Sequence, residues 1–330
     1  VYNSRMRIIK TAILSEKLEV ARNMAFNDVG IVNGTPAGLI PHFMSTTRNG
    51  VVFNITTTIR NIDDPYDDVA PVDISPADYK LVEMEIQCNS CTQQGSVKLS
   101  TRVSPKGLEG ASENGSLFVH VFDKTGIDIV DANVRVEYDG VVPFIDEDVT
   151  DNDGMRRIID VPTGTESYHI TVTKGGYSSD YTVSSSIFNP NPYKRPSTVI
   201  SQAVTEISFS IDYLSNIMFS TINPSCSSVG NVPFYVRGNK VVGTDPTLYK
   251  YEENLTTDPS GVHDFGGMEW DTYYFDTPGI SYNIAGSIPM LPVGVLPATD
   301  QNISLILQPY TTNSALVNVR DASTGEPLSG

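Results

Sequence analysis

The chain has 330 residues, of which 39 are acidic and 22 basic, for a formal net charge of -17. So acidic a surface repels polyanions, which excludes nucleic acid as a partner and leaves an anionic membrane surface without a basic patch to meet. No run of about 20 apolar residues reads as a membrane span, and an apolar content of 39% suits two to four modules of ordinary size, about 100 to 150 residues each.

Residues 1–30 hold the one convincing helical pattern. Tyr2, Met6, Ile9, Ile13, Val20 and Met24, with Leu14, Leu18, Ala21 and Ala25 beside them, follow the helical period. Arg5, Arg7, Lys10, Glu16, Lys17, Glu19 and Arg22 take the remaining surface, and Asn27, Asp28 and Gly30 are stop residues. Such a helix either covers a sheet of its own domain or packs as a rod against other subunits.

After Ile31 to Ile40 comes Arg48-Asn49-Gly50-Val51, a hairpin turn leading into the Thr-rich run that ends at Arg60. The loop Ile62-Asp63-Asp64-Pro65-Tyr66-Asp67-Asp68 and the alternating strand Asp78 to Ile86 follow. Preceded by a helix that ends Ala21-Arg22-Asn23-Met24-Ala25-Phe26-Asn27-Asp28-Val29-Gly30, these motifs resemble bacterial type IV pilin-like proteins over residues 1–105, in particular large minor pilins with added β-modules. The resemblance implies a helix-plus-antiparallel-sheet head. It also implies an assembly helix whose Met6, Ile9, Ile13, Val20 and Met24 pack against other pilin-like subunits, and an apolar, processed half-helix before Val1 as membrane anchor. A chain that starts at Val1 is expected to be a piece of such a protein.

Cys88 and Cys91 form a C-x-x-C directly after a strand, a spacing that admits a redox pair, half a zinc site or a short disulfide. A redox pair needs a helix start and a zinc site needs a second pair. Neither follows, so a local disulfide formed in an oxidising compartment is expected. The third cysteine, Cys226, reads as a small buried or free thiol.

Beyond residue 105 the sequence repeats. Ser116 to Gly126 is an alternating strand running into Asp and Thr-Gly, and Ser314 to Gly325 has the same form. The first copy continues through Thr150-Asp151-Asn152-Asp153-Gly154 and Tyr168 to Tyr177. This series is similar to carboxypeptidase regulatory-like domains, which implies a small transthyretin-like or immunoglobulin-like β-sandwich over 106–211. Strands expected at 217–222, 232–237, 268–275, 281–285 and 303–308, with an Asp258-Pro259-Ser260-Gly261 turn, read as a divergent second copy over 212–312. Residues 313–330 then open a further, truncated sandwich.

His42, His120, His169 and His263 lie in separate segments without metal-ligand spacing, and no nucleophile or phosphate-binding motif occurs, so no enzyme is expected. Two acidic loops could turn oxygens toward calcium: Asp63, Asp64, Asp67 and Asp68, and Asp146, Asp148, Asp151 and Asp153. The second set lies beside an Asp-Gly hairpin, which serves equally well as a plain turn. Trp270, Tyr273 and Tyr274 offer a face for a host-cell or surface glycan, or ordinary cross-strand packing.

Together these readings give a mainly β chain with one N-terminal helix: a pilin-like α+β head, then tandem β-sandwiches. The function they imply is a structural and adhesive subunit of an extracellular, cell-surface pilus. The alternatives are a soluble secreted carbohydrate-binding module and accessory domains of a larger hydrolase.

Overall fold

The computed structural model describes residues 2–65, 68–69, 72–73, 77–88, 91, 95–105, 113–279, 281–313, 315, 317, 319–325 and 328, with side chains from residue 4 onward. By contact density the chain divides into two units, one of residues 1–172, 180–182 and 196–210, the other of 173–179, 183–195 and 211–330. As expected, it is mainly β with a single N-terminal α-helix among the described residues.

In the first unit, helix α1 spans Tyr2–Asn23 and a 3-10 turn follows at Phe26–Asp28. The helix stops seven residues short of the expected Gly30. Asn23 donates its side-chain amide to the Glu19 carbonyl, and Ala25 is extended, so the helical hydrogen bonding ends there. Strands β1 (Phe43–Arg48), β2 (Val51–Ile62), β3 (Tyr79–Gln87) and β4 (Val97–Val103) form an antiparallel meander in that order. Asn49 and Gly50 make the first turn with φ of 54° and 74°, the mirror-image geometry that an Asn-Gly pair adopts most easily.

The helix lies on this meander. Ile13, Leu14, Leu18 and Ala21 are buried with Phe53, Ile55, Ile59, Val82, Met84 and Ile86. Met6, Ile9 and Met24 pack at the margin of the same core, whereas Val20 is 56% exposed on the opposite side. The face expected to meet other subunits is thus largely the face that seals the head, because a meander this apolar on one side needs a cover.

The first sandwich belongs to the same unit. Its strands are β5 (Gly115–Phe122), β6 (Asn133–Tyr138), β7 (Phe144–Val149), β8 (Met155–Val161), β9 (Gly164–Thr173), β10 (Asp180–Tyr181), β12 (Ser197–Val199) and β13 (Val204–Ser210). One sheet has the order β10-β9-β6-β7, with β12 also on β9, and the other β13-β5-β8. Strands β5 and β13 are parallel over seven registered pairs, Ser116↔Val204 to Phe122↔Ser210.

The second unit contains β11 (Asn191–Pro192), β14 (Ser215–Ile222), β15 (Pro233–Arg237), β16 (Val241–Thr244), β17 (Leu248–Tyr249) and β18 (Glu252–Thr256). It continues with β19 (Val262–Met268), β20 (Asp271–Asp276), β21 (Tyr282–Ile288), β22 (Val293–Val295) and β23 (Asp300–Pro309). The expected single strand 268–275 is broken: Met268 closes β19, and β20 starts at Asp271. The sheets are β19-β14-β23-β21 and β18-β15-β20-β22, with a small β11-β16-β17 sheet beside them. Again the first and last strands, β14 and β23, run parallel over seven pairs, Asn216↔Asp300 to Ile222↔Ile306.

The two sandwiches share their turns atom for atom. Asp123 Oδ1 accepts from the N–H groups of Thr125 (2.7 Å) and Ile127 (3.0 Å), and Asn223 Oδ1 accepts from those of Ser225 (2.9 Å) and Ser227 (3.0 Å). Asp151 receives Asp153 and Met155 as Asp258 receives Ser260 and Val262. Thr150 Oγ1 accepts from the Ala132 N–H and Thr257 Oγ1 from the Val232 N–H, both at 3.0 Å. Where the first copy has Gly126 at φ 86°, the second has Cys226 at φ 60°, an exposed free thiol. Asp321 builds a related turn one residue longer, its carboxylate accepting from the N–H groups of Ser323 and Thr324 and its carbonyl from that of Gly325, while Ser314, Leu316 and Asn318 of the strand expected before it lie outside the described residues.

Candidate functional site

Most of the chemistry-bearing residues of the first unit meet where β2 runs beside β7 and β8. Strand β7 alternates inward and outward, and its inward positions include Phe144 and Asp146, so a carboxylate is carried into the core. Arg156 on β8 is 5% exposed and donates from Nη2 to Asp146 Oδ2 at 2.7 Å. The same nitrogen lies 3.7 Å from Asp148. Arg60 on β2 forks onto Asp148, with Nη2 to Oδ1 at 2.8 Å and Nε on Oδ2, and its Nη1 donates to Glu83 at 2.9 Å. Lys98 reaches the other oxygen of Glu83 at 3.2 Å.

Burial and pairing act in opposite directions here. Burial, the dominant influence, pushes the Asp146 carboxyl up despite Arg156. Burial also pushes Asp148 up, but the Arg60 and Arg156 guanidiniums outweigh it and hold that carboxyl below its ordinary value. The arrangement is a buried ionic clasp between the head meander and the first sandwich, reinforced by Asn61 donating to the Ile159 carbonyl at 3.1 Å and Ile145 N–H donating to the Asn33 carbonyl at 3.2 Å.

At the described positions the carboxylates of the second acidic loop are engaged within the chain. Asp146 and Asp148 are held by arginines, Asp151 closes its own turn and bonds Arg157, and the Asp153 carboxylate is 79% exposed. Asp64 N–H donates to the Asp78 carboxylate, so the first loop turns a backbone donor inward; Asp63 lies at the end of β2, Asp68 is exposed, and Asp67 lies outside the described residues. Among the described residues no three of Asp, Glu, His and Cys stand close enough to share an ion.

Cys88 and Cys91 join in a disulfide with Cα atoms 5.6 Å apart, both buried in the head core. The histidines are dispersed: His120 bonds Asp128 at 2.7 Å, His169 bonds Asp139 at 3.0 Å, His42 bonds the Thr57 carbonyl at 2.8 Å, and His263 packs edge-on to Phe234 and Phe265. The aromatic trio is divided between the core and its margin. Tyr273 is buried in the second sandwich core, Lys240 Nζ sits 3.2 Å from the Trp270 ring centroid, and the Arg237 guanidinium lies 4.1 Å from that of Tyr274. Cations thus lie against the Trp270 and Tyr274 rings, while Tyr273 faces the core.

Beside the clasp lies a cleft of about 610 Å³, lined by Arg60, Phe118, Val149, Met155, Arg157 and Ile159 among others. Sequence reasoning missed Arg60, Glu83, Arg156 and this cleft. The available signal was an Asp and an Arg among the apolar residues of two short strands, since buried charges are paired when they occur at all.

No family model matches the chain. No curated protein matches it either. Solved structures do: the Bacillus anthracis TIE protein at 14% identity and TM-score 0.26, over 81% of this chain and 57% of that one. A streptococcal ancillary pilin matches at 11% identity and TM-score 0.25, over 68% and 75% of the two chains. A minor pilin of Streptococcus agalactiae matches at 11% identity and TM-score 0.27, over 62% and 99%. The chain thus spans a little over half the length of the Bacillus protein, and at these identities and scores the matches assign it to no family.

No helix among the described residues is long and apolar enough to cross a membrane.

Proposed function

We propose that the chain is a structural subunit of a cell-surface filament, with a type IV pilin-like head at residues 1–105 and β-sandwiches over 106–211 and 212–312 displayed outward as a load-bearing, adhesive stalk. One observation carries the load-bearing part of this reading: in each sandwich the first and last strands pair in parallel over seven registered positions. Parallel pairing puts the start of the first strand and the end of the last at opposite ends of the pair. A pull on the chain then loads all the ladder hydrogen bonds together, in shear, instead of one after another. A module of a secreted enzyme has no need of that geometry, whereas a tethered stalk does. The helix laid over a four-stranded antiparallel meander supports the pilin-like head, and the buried clasp supports a head that moves as one piece with the first sandwich.

Single-molecule pulling tests it. With handles at the exposed Tyr213 and Tyr310 the β14–β23 ladder is sheared, and with handles at Tyr213 and Ala298 it is unzipped. The shear geometry is expected to need severalfold more force, and equal forces would remove the mechanical argument.

A further inference from the structure

We infer that the cavity at the end of the head core, lined by Asn61, Lys80, Asn114 and Asp160, binds a neutral sugar. The inference goes beyond the filament reading and does not depend on it.

The strands prepare the site. The inward face of β2 runs Phe53, Ile55, Thr57, Ile59 and ends at Asn61, and that of β3 runs Ile86, Met84, Val82 and ends at Lys80. The two polar residues stand directly opposite each other in the antiparallel pair, so their side chains leave the sheet side by side. Here helix α1 has ended and the turn Phe26–Asp28 takes its place. Lys80 Nζ donates to the Phe26 carbonyl at 2.9 Å and sits 4.6 Å from the Phe26 ring centroid. Among the described residues no carboxylate comes within ion-pair distance of it, so a buried ammonium keeps donors to spare. Asn61 donates to the Ile159 carbonyl, but its Oδ1 is buried without a partner. Each open group weakens the fold unless something fills it.

These groups line a cavity of about 590 Å³ in the first unit, within the range of about 300 to 1,000 Å³ that small ligands occupy. Asn61 also borders the clasp cleft. Asn114 lines the same cavity and donates to Asp160 Oδ1 at 3.0 Å, while Phe26, Phe144 and Pro162 supply apolar walls. A closed loop forms one side: Ile31 N–H donates to the Pro36 carbonyl at 2.8 Å and Ile40 N–H to the Gly30 carbonyl at 2.9 Å, and a Cβ on Gly38 would lie 2.3 Å from the Gly30 nitrogen. Such a wall loses little freedom on binding. The lining selects the ligand by charge and by geometry. Among the described lining residues Lys80 is the only cation and Asp160 the only anion, and Asp28 also pulls on the buried ammonium. That balance gives an anion no net attraction and a cation a resident competitor. A neutral ligand must then accept from Lys80 and donate to Asn61 Oδ1 at neighbouring points. A trans amide cannot, because its N–H and C=O point to opposite sides of one plane. Adjacent ring hydroxyls can, since each is donor and acceptor at once, and the C–H faces of the same ring suit the aromatic and proline walls. A sugar combines these features.

Saturation-transfer NMR of the full chain with the methyl glycosides of glucose, galactose, mannose and N-acetylglucosamine is the test. At least one of these probes is expected to bind in the millimolar range, and the side-chain amide signals of Asn61 and Asn114 should shift along the same titration. Lys80→Met and Asn61→Leu should each weaken binding about 10-fold or more while the melting temperature holds or rises, because each removes an open polar group from the core. Sodium phosphate and the blocked amide N-acetylalanine methylamide should not displace the sugar. Should either variant fail to fold, the Asn61 and Asn114 signals of the wild type decide the matter alone. No saturation transfer from any of the four glycosides, amide signals that stay still, binding that survives both substitutions, or displacement by phosphate overturns the site. Sugar binding by a chain that is absent from filaments would keep the site and remove the filament reading.

Discussion

Replacing Arg156 by Met should destabilise the first unit by about 3 to 5 kcal/mol, the usual cost of stranding one partner of a buried ion pair. Arg156 is 5% exposed and holds Asp146 at 2.7 Å, so its loss leaves a carboxylate in the core with no cation in contact. Urea unfolding measures the effect, and the paired change Asp146→Leu with Arg156→Met should recover most of it, because the burial penalty is removed along with the bond. The pH dependence follows from the two neighbouring aspartates. Asp148 is held below its ordinary value, so its contribution is complete above the unfolded value of about 3.9 and is lost as pH falls through the folded one. Asp146 is raised, so folding disfavours its ionised form and its contribution grows as pH falls from neutral through its folded value. The first unit should therefore gain slightly in weak acid and then lose stability steeply below about pH 3.9. In Asp148→Asn the steep acid limb should flatten, and an unchanged acid limb would assign it to other carboxylates.

Ile13→Asp should unfold the head outright. Ile13 is 1% exposed, between the helix and the meander, and an ionised carboxylate there is stripped of water among apolar side chains. A loss beyond about 4 kcal/mol is expected. Calorimetry should show the transition of the first unit abolished and that of the second retained. The result separates the two roles that the helical pattern allows, cover for a sheet of its own domain and a rod against other subunits. A normal melting profile for Ile13→Asp would favour the rod. The residues left for contacts between helices are those turned outward, such as Ile8 and Val20.

The elements that the sequence makes legible are those whose signal is local. Asn49-Gly50 marks its hairpin because both residues tolerate positive φ, and the run Phe53, Ile55, Thr57, Ile59, Asn61 marks the inward face of β2 by period-two alternation. Cys88 and Cys91 close a three-residue interval that needs no distant partner. The Asp turns at Asp123, Asp151, Asp258 and Asp321 announce themselves because a short carboxylate can accept from N–H groups two to four residues ahead.

What stayed hidden depends on contacts far apart in the chain. The matching turn of the second sandwich uses Asn223 for Asp and Cys226 for Gly, which disguises a repeat whose hydrogen bonds are the same. The β16–β17 hairpin lengthens that copy and shifts the later half of its alignment with the first. The parallel pairing of β5 with β13 and of β14 with β23 has no signature in either strand alone. The clasp could not be read because the partners of Asp148, Arg60 and Arg156, come from strands nearly a hundred residues apart. The helix was ambiguous for a different reason: an amphipathic period shows that a face is covered but not by what.

The central claim is that this chain is a structural subunit of a surface filament. Its most direct test is to shear filaments from the source cells, purify them, and identify the constituent chains by mass spectrometry, with antibodies to the second sandwich placed along them by electron microscopy. The account predicts that this sequence is found in the purified filaments and that antibody decorates their length or tips. Recovery of the protein only as a free species in the medium, with bare filaments, would contradict it.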